Sequence, residues 1–121
     1  MDRAAVLHRC RALPGASEEY PFGETTAVFK VGGKMFALVS LADEPGRLSV
    51  KCDPGYALAL RDEYPGVVAG YHLDKRHWNT VLLDGAIPAD MIAEWIEDSY
   101  GLVRTSLTRR QQDALVDAAG A

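Results

Sequence analysis

The chain has 121 residues, 48% of them hydrophobic and 25% charged, with a formal net charge of −4. This composition is typical of one soluble globular domain covering residues 1–121, and it excludes a disordered chain. No apolar run approaches the ~18 residues that a membrane-spanning helix needs, and the acidic balance counts against a protein that coats nucleic acid.

The first predicted element is a helix that begins after Asp2, whose carboxylate can accept a hydrogen bond from an amide of the opening turn. Its apolar residues recur at helical spacing from Val6 to Leu13. Pro14 and Gly15 end it, because proline disfavours helical geometry in the residue before it.

A hairpin is predicted next, with strands 26–31 and 34–41 joined by Gly32-Gly33. Two glycines supply the positive φ angles of a tight turn, and a two-residue turn sets the register. This register places Phe29 opposite Phe36 and Ala27 opposite Leu38. We therefore expect Phe29, Phe36 and Leu38 to face the core.

The middle of the chain predicts a strand, a helix and two further strands. Residues 47–52 alternate between an apolar and a basic side, which is typical of a half-buried strand. Asp53-Pro54 is a helix start, with the carboxylate as cap and proline at the first helical position. Strands are predicted at 67–69 and 77–83, separated by the polar segment 70–76.

Two helices complete the chain. Pro88 opens a long one with an apolar stripe, and Thr108 with Gln111 forms a capping box for a short last one. The order helix, hairpin, strand, helix, strands, helix, helix predicts an α+β fold with an antiparallel sheet.

Signals of enzymatic chemistry are weak. Gly32-Gly33 joins two strands, so it cannot form a phosphate loop at a helix N-terminus, and no serine lies in a GxSxG motif. A thiolate of Cys52 paired with His72 or His77 is an alternative, as is a metal site built from both histidines, Cys52 and Asp53 or Asp74. We expect a non-enzymatic protein without cofactor or metal.

The cysteines indicate the compartment. Cys10 and Cys52 lie far apart and form no CxxC pair, which is typical of a reduced protein. The first residues lack the long apolar stretch of a signal peptide. We expect a cytoplasmic monomer that contacts no membrane.

The segment 70–79, GYHLDKRHWN, is the densest group of polar and aromatic side chains in the chain. Cations that neutralise phosphates, aromatic rings that stack on bases and an asparagine that can read an adenine edge suit nucleic-acid contact. Between residues 30 and 51, four basic side chains stand against two acidic ones, Asp43 and Glu44. The charged residues of 91–100 are all acidic. Such a polarised molecule can orient an anionic partner despite its negative total.

The sequence resembles the MmcQ/YjbR family of small bacterial proteins. The resemblance rests on YPFGE at 20–24, VFKVGGKMFAL at 28–38, KCDP at 51–54, GYHLDKRHWNTVLLDG at 70–85 and IEDSYGLV at 96–103. It implies a CyaY-like fold, with helices on one face of a single antiparallel sheet. It also implies a double-wing mode of DNA binding in which hairpins act as wings. It does not import iron binding, because the first helix carries arginines instead of an acidic ridge.

Two functional hypotheses follow. In the first, the protein binds double-stranded DNA with basic residues on phosphates and with residues of the segment 70–79 on the bases or the platform below them. The residues predicted to do so are Lys30, Lys34, Arg47, Lys51, His72, Lys75, Arg76, His77, Trp78 and Asn79. In the second, Tyr20, Phe22, Tyr71 and Trp78 line a pocket for a small ligand or a groove for a protein.

Overall fold

The computed structural model describes the backbone of residues 1–120 and the side chains of residues 1–116. Its six strands form one antiparallel sheet in the order β1-β2-β3-β4-β6-β5, which confirms the predicted α+β class. The strands are β1 (Ser17–Glu19), β2 (Thr26–Val31), β3 (Lys34–Ser40), β4 (Gly46–Lys51), β5 (Val67–Ala69) and β6 (Trp78–Leu83). The helices are α1 (Arg3–Arg11), α2 (Pro54–Glu63), α3 (Ala89–Thr105) and α4 (Arg109–Gly120).

The helices begin where capping residues satisfy their first amides. The carboxylate of Asp2 accepts from Ala5 N at 2.9 Å, and that of Asp53 accepts from Tyr56 N at 3.3 Å. Thr108 and Gln111 form the predicted capping box. Within residues 1–120, none of the helices combines the length and the apolar character needed to cross a bilayer.

The core lies between the sheet and the helices. Alternate strand residues such as Phe29, Leu48 and Val81 pack with helix residues such as Ile92 and Ile96 in one buried cluster. The opposite face of the sheet is called the open face. It carries Leu38, Ser40, Arg47, Ser49 and Thr80, which the register places side by side.

A β-bulge in the hairpin overturns part of the predicted register. Val31 pairs with Lys34 as expected, and Gly32 and Gly33 have the positive φ angles that the turn requires. Between Phe29 and Lys30 the register shifts, so Phe29 pairs with Ala37 and not with Phe36.

The shift also corrects the prediction for Leu38. An extra residue in one strand moves the side chains that follow it to the other face. Phe36 stays buried in the core, whereas Leu38 lies on the open face and is partly exposed. Ala27 accordingly pairs with Val39, whose side chain takes the core position predicted for Leu38.

A buried serine of α3 joins the bulge to the neighbouring strand. Ser99 Oγ donates to the carbonyl of Phe36 at 2.6 Å and accepts from the amide of Lys51 at 2.8 Å. Two backbone groups at the end of the β3–β4 ladder therefore obtain their partners from one hydroxyl.

We expect Ser99→Ala to lower the free energy of unfolding by about 1–3 kcal/mol, because it leaves buried backbone groups unsatisfied. Urea denaturation followed by circular dichroism measures the change. Thr105→Ala, which removes an exposed hydroxyl bonded within the same helix, is the control and should change stability by less than about 0.5 kcal/mol. Equal losses in the two variants would contradict the bridging role.

Candidate functional site

Antiparallel pairing brings four segments to one end of the sheet, called the hairpin end. They are the β2–β3 turn, the β4–α2 junction, the segment 70–77 and the α3–α4 junction. Lys51 pairs with Trp78, and Cys52 N donates to His77 O at 2.6 Å. Lys34 Nζ lies 3.4 Å from Ser106 Oγ, which places the α3–α4 junction beside the hairpin turn.

Charge is segregated along the strand direction. The hairpin end carries the basic residues Lys30, Lys34, Lys51, Lys75, Arg76, Arg104, Arg109 and Arg110. Its acids are Asp53 and Asp74, with Glu19 beside Lys30 and with Glu97 and Asp98 beside the β4–α2 junction. The opposite end carries Asp2, Glu24, Asp43, Glu44, Asp62, Glu63, Asp84 and Asp90, with Arg3 and Arg47 as its bases. Arg61 of α2 donates to Lys75 O and therefore lies nearer the hairpin end. The net charge of −4 therefore conceals one basic and one acidic end.

The basic side chains of the hairpin end differ in whether their charged groups already have a partner in the protein. Lys30 Nζ lies 3.6 Å from a carboxylate oxygen of Glu19, and Lys75 Nζ donates to Gly70 O at 3.1 Å. Lys34 and Arg76 are exposed, and neither forms an ion pair with another described residue. These two flank the end, one at the hairpin turn and one in the segment 70–77.

Sequence reasoning missed three arginines at this end. Arg104 closes α3, and the exposed Arg109 and Arg110 open α4. The adjacent arginines Arg109 and Arg110 are the feature of the sequence that could have indicated a basic surface. Their place at the hairpin end follows from the tertiary structure, in which Leu107 packs against the hairpin turn at Gly32.

Within the segment 70–77, His77 is part of the loop structure. Its Nδ1 lies 2.8 Å from Asp74 Oδ2, and Asp74 Oδ1 accepts from Arg76 N at 3.0 Å. The hydrogen bond from His77, followed by that from the Arg76 amide, holds the pKa of Asp74 below its usual value. The imidazole therefore supports the conformation that exposes Arg76.

Trp78 and Asn79 are buried, which is against the predicted contact with bases and agrees with the alternative that they pack the platform below. Asn79 is 1% exposed; its Nδ2 donates to Ala57 O at 3.2 Å, and its Oδ1 accepts from Arg61 Nε at 2.7 Å. Trp78 is 8% exposed, and Gly70 packs against its Cβ and backbone. Both residues are buried because they belong to strand β6 and not to the loop that precedes it.

Arg47 and His72 lie elsewhere, at a cavity of about 550 Å³ on the open face. The guanidinium Cζ of Arg47 stands 5.3 Å from the centre of the Tyr71 ring, and His72 has a positive φ of 59°. Phe22 and Tyr71 line this cavity as the second hypothesis expected. Tyr20 and Trp78 do not line it; the hydroxyl of Tyr20 donates to Glu18.

The thiolate and metal alternatives gain no support from the geometry. Burial, with Asp53 and Asp98 adding to it, raises the pKa of Cys52 to about 11, so the thiol is protonated at neutral pH. Among the residues whose side chains are described, no three His, Cys, Asp or Glu groups come close enough to hold a metal ion.

Comparison with known proteins gives consistent matches. The sequence model of the YjbR family matches residues 11–102. YbdF of Escherichia coli O157:H7 is 36% identical over 83% of this chain and 82% of its own length, and YjbR of Escherichia coli K12 is 31% identical over 96% and 98%. Both relatives are described as uncharacterised.

Solved structures show the same arrangement. A crystal structure of a Deinococcus radiodurans protein superposes with a TM-score of 0.88 at 38% identity, covering 94% of this chain and 87% of that one. A Pseudomonas syringae protein superposes with a TM-score of 0.74 at 27% identity, covering 85% and 99%.

Proposed function

The chain belongs to the YjbR family, and we propose that it binds double-stranded DNA through phosphate contacts at the hairpin end of its sheet. The observation that carries the proposal is the segregation of charge: all lysines of the chain lie at this end. A local basic surface attracts a polyanion even when the whole protein is acidic.

Binding of this kind has little sequence preference. Contacts to phosphates position a protein on the duplex, whereas contacts to base edges specify sequence. Lys34 and Arg76 are exposed cations, while the asparagine that could read adenine is sealed under α2. The turn at Gly32 packs on Leu107. The hairpin therefore contacts DNA together with the other segments of the hairpin end and does not project from them as a separate wing.

The proposal extends to a non-enzymatic monomer in the cytoplasm, where DNA is accessible. The two cysteines are free and buried, as expected of a reduced protein. The edge strands β1 and β5 have three residues each, and short edge strands oppose pairing between molecules. Light scattering of the complex should show one protein chain per binding site.

We expect measurable duplex binding at low salt that weakens steeply as salt increases. If about four phosphates are neutralised, affinity falls about 100-fold between 50 and 200 mM salt. Fluorescence anisotropy with two 16-base-pair duplexes of unrelated sequence measures this and should give similar affinities.

Removing both flanking cations tests the location. Lys34→Gln with Arg76→Gln should weaken binding about tenfold at low salt and reduce the salt slope by about 2. Arg9→Gln removes an arginine of α1 that pairs with Glu97 and belongs to none of the four segments of the hairpin end, so it changes the net charge without removing a proposed phosphate contact and should leave affinity within about twofold. No binding at 50 mM salt, or an Arg9→Gln effect as large as that of Arg76→Gln alone, would contradict the proposal.

A further inference from the structure

We infer that the cavity on the open face is a second binding site, specific for a small organic monocarboxylate with an apolar or aromatic body. This site is separate from the basic hairpin end, and its ligand is a small molecule, not a nucleic acid. The inference rests on three features: the shape of the cavity, an arginine in its lining that forms no ion pair with another described residue, and hydroxyl donors on its floor.

The cavity has the size and lining of a ligand site. Its volume of about 550 Å³ lies within the range of ~300–1,000 Å³ that small-molecule pockets occupy. Strands β3, β4 and β6 form the floor, and the segment 70–77 and Phe22 form the walls. Its apolar surface comes from Phe22, Leu38, Tyr71 and Leu73.

Arg47 supplies the positive charge. Its guanidinium stands over the Tyr71 ring and has no ion-pair partner among the described residues. Arg3, Arg9 and Arg11, by contrast, each pair with a carboxylate. Stacking on an aromatic ring leaves the edge of a guanidinium free, and that edge matches the two oxygens of a carboxylate.

The floor supplies further donors. Ser49 Oγ and Thr80 Oγ1 lie 2.8 Å apart, both residues are more than nine-tenths buried, and Thr80 Oγ1 also accepts from Tyr71 N at 3.0 Å. Two hydroxyls carry two O–H donors and their mutual bond uses one, so one donor is left for a partner in the cavity. Ser40 Oγ accepts from Arg47 N at 2.8 Å, which leaves its own O–H to donate as well.

Charge balance favours a monoanion. Asp43 also lines the cavity, so one carboxylate and one guanidinium share its polar side. A phosphate dianion would meet repulsion from Asp43 with one cation to offset it. A monocarboxylate gains the bidentate contact with Arg47 while its apolar body covers Leu38 and Tyr71.

The test compares two probes of equal shape, 1-naphthylacetate and its neutral amide, by isothermal titration calorimetry. The acid should bind at least about tenfold more tightly than the amide, because hydrogen bonds between two charged groups are stronger than those to a neutral group. Arg47→Gln should abolish this preference, whereas Arg47→Lys should retain part of it. Leu38→Trp, which fills the cavity from the floor, should weaken both probes.

Controls separate this site from the hairpin end. Arg76→Gln should lower duplex affinity and leave 1-naphthylacetate affinity within about twofold. Arg47→Gln should lower 1-naphthylacetate affinity and leave duplex affinity within about twofold. Circular dichroism confirms that each variant is folded. Failure of both probes to bind, equal affinity for acid and amide, or an acid preference that survives Arg47→Gln would each overturn the inference without bearing on DNA binding.

Discussion

Replacing Phe36 by alanine is expected to lower the free energy of unfolding by about 3–5 kcal/mol, because it leaves a cavity in the core beside the bulge. The Phe36 ring is fully buried. It packs at 6.3 Å from the ring of Phe29 and edge-on at 5.5 Å from that of Tyr100. Removal therefore loses contacts with β2 and with α3 at once.

The matched control is Leu38→Ala, two positions along the same strand. Leu38 lies on the open face and is partly exposed, so its truncation should cost less than about 1.5 kcal/mol. Urea denaturation of both variants measures the difference. Similar losses would mean that Leu38 faces the core, as an unbulged hairpin requires, and that the register described above is incorrect.

Asn79→Ala is expected to destabilise the protein by about 1–3 kcal/mol, because it removes the donor to the Ala57 carbonyl at a buried place and the acceptor of the part-buried Arg61 Nε. Asn79→Asp keeps an acceptor for Arg61 but loses the donor to Ala57, so a smaller loss is expected. Thermal and urea unfolding provide the measurement.

The Asn79→Ala variant also distinguishes a structural role of Asn79 from a role in contacting DNA bases. A residue that holds α2 to β6 changes stability and leaves the ratio of affinities for two duplex sequences unchanged. An adenine-reading residue would do the opposite, with an altered sequence ratio and little change in stability. The second outcome would restore Asn79 to the DNA interface.

Local signals predicted most of the secondary structure correctly. Asp2, Asp53 and the Thr108–Gln111 capping box each act within one helical turn, and the Gly32-Gly33 turn acts within four residues. Strand β1 was missed, because its sequence Ser-Glu-Glu carries no apolar alternation. It forms only by pairing with β2, and that pairing is a tertiary event.

The candidate site was less predictable than the fold. Segment 70–79 stood out as one polar group, yet the start of β6 divides it between an exposed loop and two buried residues. Arg109 and Arg110 join the same surface only because α3 ends beside the hairpin. Spacing along the chain cannot report such proximity, since the segments concerned are far apart in sequence.

The acidic total, the spacing of the two cysteines and the alternation of apolar residues were determined by the sequence alone, because each depends on residue identity or on position along the chain. The tertiary structure decided where the charges lie and which side each strand residue faces. One bulged residue at Phe36 moved Leu38 from the core to the cavity, since strand side chains alternate with a period of two. Antiparallel pairing gathered the lysines at one end, because it brings strand ends that are distant in sequence to the same edge.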